Sequence, residues 1–414
     1  MNVIIRQATI ADPRSLWNGQ KADILIEKGR IVQIGPGIEA GNNKIIEESN
    51  LVVSPGFTDI FSHFGDPGLE FKETLETGAE AAKAGGYTRV FAIPNTKPAI
   101  HSKSQVEYIV QKSKNLPVDV LPIGAITQNC EGKDLAEMYD MHASGAVAFS
   151  DGIHPVQNSQ VLLKALQYVK SFDGVIIQVP DELNLSRTGL VNEGIISTQL
   201  GLPGKPSLAE TLMLARDIEL LRYTGSKLHV TGISTAASVE LVRRAKNDGL
   251  NLTCSVTPYH LWFSDEDLVQ YDTNLKVNPP VRTPSDREAL LAAVLDGTVD
   301  CISSHHQPHE WDSKVCEFEY ARYGMEGLES CFAATATLLP QLSPQKIAEL
   351  FSLNAAAIFG LDLPIIKEGE KANLTLFKME TESIFSENQI KSRSKNNAFI
   401  NKIFNAVIIS SLGY

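Results

Sequence analysis

No apolar run in this 414-residue chain approaches the ~20 residues that a membrane-spanning helix needs. Cysteine is scarce. The five residues Cys130, Cys254, Cys301, Cys316 and Cys331 are scattered, odd in number and form no CxxC pair. That usage fits reduced thiols in a reducing compartment rather than a disulfide framework. No GxGxxG or Walker-type glycine loop follows any β-prone run, which counts against nucleotide binding. Positive charge is in deficit, with 37 basic against 49 acidic residues and a net charge of −12. A nucleic-acid partner needs a basic face, so that class is set aside. The opening Met-Asn-Val-Ile-Ile-Arg is too short and too β-like for a signal peptide, and the expectation is a cytoplasmic protein with no membrane association.

What is there begins with Val52–Gly68. A β-branched run enters this stretch, Pro55-Gly56 interrupts it, and a second apolar run ends on His63 before Gly65-Asp66-Pro67-Gly68. It reads as the first strand of an α/β barrel with polar groups at its C-terminal tip. Seven further β-prone runs follow: Thr88–Ile93, Val118–Ile126, Gly145–Phe149, Val175–Gln178, Leu228–Ile233, Leu252–Thr257 and Val299–Ser303. Helical patterns separate most of them, including Lys72–Ala84, Ser159–Lys170, Leu208–Leu221, Ser238–Lys246 and Asp286–Leu295. Eight strands alternating with helices predict a (β/α)8 barrel better than an open doubly wound sheet. Both chain ends have short β texture and too little chain for a core alone. The expected division is a small β-sandwich from residues 1–54 plus 364–414, beside a barrel of residues 55–363.

In such a barrel the strand tips carry the site. The candidates are His63 on strand one, Asn95 on strand two, Asp151 on strand four and the cluster His305, His306 and His309 on strand eight. A metal site needs about three or four convergent His, Asp or Glu ligands. A single His at a strand tip is more often a hydrogen-bonded structural residue, and Asp151 before Gly152 also suits a turn. His229, inside an apolar strand, reads as a satisfied core histidine. His101, His142 and His154 fall in loops or on helix surfaces and carry no site claim.

Landmarks along the whole chain resemble dihydroorotase, of the cyclic amidohydrolases. They are Val53-Ser54-Pro55-Gly56-Phe57-Thr58-Asp59, Pro94-Asn95-Thr96, Val191-Asn192-Glu193-Gly194, Lys276-Val277-Asn278-Pro279-Pro280-Val281-Arg282 and Gly324-Met325-Glu326-Gly327-Leu328-Glu329. The resemblance implies the same barrel flanked by a sandwich of both chain ends. It also implies where the chemistry should lie. The family's His-x-His zinc pair falls on Phe61 and His63, and the substrate-gripping Arg two residues later falls on Gly65. The strand-four Asp ligand is kept as Asp151. The strand-five His ligand is Gln178, and the strand-six His ligand is Gly232. The strand-eight Asp, which binds metal and shuttles the proton, is His305. The substrate contacts Asn95, Asn278 and His309 are kept.

Two of six metal-site positions therefore survive, His63 and Asp151. The family reaction needs a metal to lower the pKa of water and polarise the ring carbonyl, and a carboxylate to carry the proton. The expectation is a chain of pyrimidine biosynthesis that keeps the fold without dihydroorotase turnover. Some relatives of this kind hold aspartate carbamoyltransferase in an active complex, which makes that enzyme the implied partner; a homo-oligomer stays open. The competing reading is an active cyclic amidohydrolase with a rebuilt, mononuclear site on His63, Asp151 and His305, holding zinc. A third is a binding module that senses a pyrimidine precursor through Asn95, Asn278 and His309.

Overall fold

The β-branched run and the second apolar run around Gly56 become two strands, Val52–Pro55 and Phe57–Ser62, and they belong to different sheets. In the computed structural model, which describes residues 2–413, Val52–Pro55 joins a sheet made from both chain ends. Its other members are Val3–Ile10, Lys21–Glu27, Arg30–Gly35, Lys44–Glu47, Leu374–Ile384 and Ile403–Leu412. The small β-sandwich expected from both ends takes the form of one continuous seven-stranded sheet. Val3, Ile5, Ile24, Ile26, Leu374 and Leu376 pack into its own apolar core. Alternating buried positions within these short strands supply that face.

Phe57–Ser62 opens the barrel. Strands two to eight are Tyr87–Ala92, Asp119–Gly124, Ala148–Phe149, Ile176–Gln178, Leu228–Thr231, Leu252–Val256 and Cys301–Ile302, all parallel and paired in chain order. Ile60, Phe91, Ile123, Ala148, Ile177 and Cys301, from six different strands, meet in one buried cluster. The barrel is thus filled by side chains and is not a pore. Strands one and eight are joined by side chain as well as backbone. His63 N–H donates to the His306 carbonyl at 2.8 Å. The buried Asp59 carboxylate accepts from Ser304 N–H at 2.6 Å and from the Ser62 hydroxyl at 2.6 Å. A short eighth strand needs such a clasp because it offers few ladder hydrogen bonds of its own.

The helices fall where the periodicity puts them, with shifted ends. The first runs Leu75–Ala84 rather than from Lys72, with Thr74 as a reciprocal cap. Lys72 and Glu73 lie in the preceding loop because Glu73 turns inward to His306 at 3.3 Å. After the eighth strand the helical stretch 344–359 is continuous but passes through a π-helical segment, Glu349–Leu353. Among the described residues no helix is long and apolar enough to cross a membrane.

Candidate functional site at the strand tips

A cavity of about 630 Å³ sits at the C-terminal tips of the barrel strands. Phe61, His63, Asn95, Asn278, His305 and His309 all line it. Asp151 does not. Its carboxylate turns to Thr127, accepting from that residue's N–H at 2.9 Å and from its hydroxyl. Burial nevertheless pushes its pKa up to about 6, against those hydrogen bonds. The sequence-derived site residues are therefore gathered in one place, with Asp151 as the exception.

The two histidines on the cavity wall are held in the same way. His63 Nε2 lies 2.8 Å from the Asn95 carbonyl, and His309 Nε2 lies 2.7 Å from the Tyr323 carbonyl. A carbonyl oxygen accepts only, so Nε2 carries the proton in both rings. Nδ1 of each is then a lone-pair acceptor, and each is buried without a partner. Burial holds the pKa of His63 near 4 and that of His309 near 3.

His305 is differently placed. Its Nε2 lies 2.7 Å from the Thr231 hydroxyl, which in turn meets Ser255 Oγ at 2.7 Å. Its ring packs against Phe61 with centroids 4.6 Å apart. Burial, and then the neighbouring His260, hold its pKa near 3. An imidazole so depressed is a weak proton acceptor at neutral pH. His229 is buried and bonded to Thr253 and Ser255 through its two nitrogens. His306 behaves in the opposite sense. Burial opposes its charge, but Glu326 and Glu73 outweigh burial and raise its pKa to about 9.

The two asparagines also have structural duties. Asn95 donates to the Asp151 carbonyl at 3.0 Å and accepts from Ile153 N–H at 3.0 Å, tying the tips of strands two and four. Asn278 accepts from Lys205 and donates to Asp181 at 3.4 Å. Lys205 and Asp181 form a buried ion pair at 2.6 Å behind it.

Three further substituted positions can now be placed. Gln178 bonds the Val156 backbone through both ends of its amide, at 3.4 Å each. Gly232 has φ +70°, and a Cβ there would lie 2.7 Å from Cε1 of His305. Gly65 has φ +61°, and a Cβ there would lie 2.7 Å from the Leu69 carbonyl oxygen. The backbone therefore excludes a side chain at both positions without local rearrangement. Among the described residues no three His, Cys, Asp or Glu side chains converge to hold a metal ion. The donors present, one imidazole on strand one and a carboxylate turned to Thr127, do not fit a zinc site.

Several cavity residues had no sequence signal. Lys72, Lys97, His154, Glu310, Arg322 and Tyr323 come from loops after the strand tips. Loop residues carry no period, and only the closed fold brings these together.

Residues 50–238 match the family described as Dihydro-orotase-like. A protein named dihydroorotase from Caldicellulosiruptor saccharolyticus is 40% identical over 395 residues, covering 94% of this chain and 92% of that protein. One of the same name from Acetivibrio thermocellus is 39% identical, covering 96% and 94%. Among solved structures, L-hydantoinase (dihydropyrimidinase) from Arthrobacter aurescens matches with a TM-score of 0.86 at 21% identity, over 100% of this chain and 97% of its own. D-hydantoinase (dihydropyrimidinase) from Thermus sp. matches with a TM-score of 0.81 at 20% identity, over 98% and 93%. At those identities the two structures speak to the fold alone.

Proposed function

The chain belongs to the dihydroorotase family, and from that premise we propose that it acts in pyrimidine biosynthesis as a member that does not hydrolyse dihydroorotate. The observation that carries this reading is the state of the donor set. His63 offers the cavity one nitrogen, Asp151 faces Thr127, and His305 packs at a tilt against Phe61 and is bonded to Thr231. Zinc catalysis needs about three protein ligands around one open position. The proton carrier of the family reaction is a carboxylate, and the residue in its place is a neutral imidazole with a depressed pKa. Gly65 in its left-handed turn has no means of clamping the substrate acid.

The test is zinc content and dihydroorotate hydrolysis measured on one preparation. The expected result is no stoichiometric zinc and no turnover above a buffer blank. Stoichiometric zinc with turnover that a chelator abolishes would establish the rebuilt mononuclear site instead.

The same reading gives the chain a structural role beside aspartate carbamoyltransferase. Support comes from the retained fold with its altered donor set. The two chains are expected to co-purify, and the carbamoyltransferase is expected to lose activity without this partner. Equal activity with and without this chain would remove the role.

A further inference from the structure

A second cavity, of about 390 Å³, lies next to the barrel cavity, and Phe71, His309 and Glu310 line both. Its own walls come chiefly from two segments far apart in the chain, 311–315 after strand eight and 393–396 near the C-terminal end. The second segment alternates. Lys391, Arg393 and Lys395 are exposed, while Ser392, Ser394 and Asn396 are buried. The buried three are tied to the barrel loops. Ser392 Oγ donates to Glu73, Ser394 Oγ donates to the Lys72 carbonyl at 2.8 Å, and Asn396 accepts from His309 N–H at 3.0 Å. Arg393 N–H is fixed by Glu73 at 3.0 Å, but its guanidinium forms no ion pair among the described residues. Lys395 differs, because its ammonium folds back onto the Ile390 and Ser392 carbonyls.

Trp311 lines the same cavity and is 71% exposed, an uncommon state for so large an apolar ring. The turn that carries it is anchored. The Trp311 carbonyl accepts from Lys314 N–H at 3.0 Å and Val315 N–H at 2.9 Å. The buried Lys314 ammonium donates to the Arg322 and Gly324 carbonyls at 2.8 and 2.9 Å. A fixed turn that holds an indole in water presents a flat face for a planar ring to stack on. Phe71, 51% exposed, adds a second ring to the wall. A second, independent feature is polar. Glu310 Oε1 accepts from the Ser313 hydroxyl, but Oε2 is buried without a partner. A buried acceptor left unpaired calls for a donor from a ligand or a water.

We propose that this second cavity binds a nucleoside monophosphate, with its base stacked on Trp311, a base N–H donating to Oε2 of Glu310 and its phosphate held by the Arg393 guanidinium. Each part of the ligand meets a group that otherwise lacks a partner. Every common base has a π face and at least one N–H donor, and a guanidinium matches a phosphate with two parallel N–H bonds. The volume lies in the range of small-ligand sites. Arg393 stands in solvent, so its contact is screened and weakens with salt. Glu387 on the same rim opposes the phosphate. Stacking takes the place of a glycine-rich phosphate loop, which the sequence does not have. The inference is independent of the absence of hydrolysis: zinc and turnover would sink the reading above and leave this one intact.

Tryptophan fluorescence and titration calorimetry on the full chain test it. Trp17 and Trp262 are partly covered, so the exposed Trp311 is the ring open to quenching. At least one of AMP, GMP, CMP and UMP is expected to quench it and to bind about tenfold or more tighter than the matching nucleoside and than ribose 5-phosphate. Trp311→Ala is expected to weaken that nucleotide about tenfold, and Trp311→Phe to retain it in calorimetry. Arg393→Met is expected to weaken the nucleotide about tenfold and to leave the nucleoside unchanged, while Glu387→Gln tightens the nucleotide. Arg322→Met, which alters the barrel cavity alone, is expected to change nothing. No binding of any of the four nucleotides at millimolar concentration, ribose 5-phosphate binding as well as they do, or unchanged affinity in both Trp311→Ala and Arg393→Met would overturn the proposal. So would a loss in Arg322→Met equal to that in Arg393→Met, which would put the nucleotide in the barrel cavity. Trp311 already shielded from iodide in the ligand-free protein would mean that another chain covers the groove, and would overturn it as well.

Discussion

The phenyl ring of Phe61 and the imidazole of His305 lie with centroids 4.6 Å apart and planes inclined by 32°. They come from strands one and eight, the pair whose seam the Asp59 carboxylate clasps. The two substitutions therefore complement each other. An aromatic ring at 61 offers an apolar face, and a neutral imidazole at 305 covers it while its Nε2 meets Thr231. Phe61 is 4% exposed, so its contacts are core contacts at the edge of the cavity. Phe61→Ala is expected to destabilise the chain by about 3 kcal/mol, and Phe61→Leu, closer in volume, by less than about 1.5 kcal/mol. Urea denaturation of the two variants checks the order, and an Ala variant as stable as the parent would refute it.

The same pair predicts an asymmetry at Gly232. A Cβ at this left-handed residue would lie 2.7 Å from Cε1 of His305. Gly232→Ala is expected to cost about 2 kcal/mol, part from the positive φ and part from the clash. His305→Ala removes the clashing atom but leaves φ unchanged. The double variant is therefore expected to be less destabilised than the two single costs added together. Additive costs would show that His305 moves aside freely and that the close approach carries no energy.

These left-handed glycines explain why the fold was legible and the site was only partly so. The strand runs and helical periods are set by local sequence, and all eight barrel strands lie where β-branched runs place them. Their ends shifted where a side chain had a distant partner, as Glu73 has in His306. At the strand tips, substitution by residue type was visible in the sequence, but its backbone consequence was not. Nothing in the letters at positions 65 and 232 says that the chain turns there in a way that shuts out a side chain. Asp151 shows the converse. Its residue type is kept, yet Thr127 holds its carboxylate away from the cavity. Lys72, Lys97 and Arg322 meet only through closure of the barrel, and no short-range pattern marks them.

His306 gives the fold a pH dependence. Burial opposes its charge, but the carboxylates of Glu326 at 3.7 Å and Glu73 at 3.3 Å raise its folded pKa to about 9, above the unfolded value of 6.5. A raised pKa stabilises fully below the unfolded value. The contribution, about 3 kcal/mol, is lost as pH rises from 6.5 through about 9. Glu329 acts in the same direction. Burial and Glu326 raise its pKa to about 8, so ionising it costs stability as pH climbs from 4.5. The difference between parent and His306→Gln reports the histidine together with the carboxylates it faces, Glu73 and Glu329. Unfolding free energy of the parent is expected to fall more steeply between pH 6.5 and 9 than that of the variant. Parallel profiles would mean that His306 is not charged in the folded protein.

The Lys205–Asp181 pair behind Asn278 supports the cavity wall from outside it. The two groups lie 2.6 Å apart with side chains 7% and 4% exposed. Both contacts to Asp181, from Lys205 and from Asn278, fall on its Oδ2, its Oδ1 is buried without a hydrogen-bond partner, and Asn278 is bonded to both residues. Burying two charges is expensive, and the attraction between them offsets that cost only while both remain. Lys205→Met leaves a buried carboxylate with a single weak amide contact, and is expected to destabilise the chain by about 3 kcal/mol or more. Adding Asp181→Leu removes the stranded charge, and the double variant is expected to regain much of the loss. Asn278 then loses its partners on both sides of the amide, which keeps the recovery incomplete. Denaturation of the two single variants and the double closes the cycle. A double variant less stable than Lys205→Met would mean that Asp181 is held by groups other than Lys205, and that the wall does not depend on the pair.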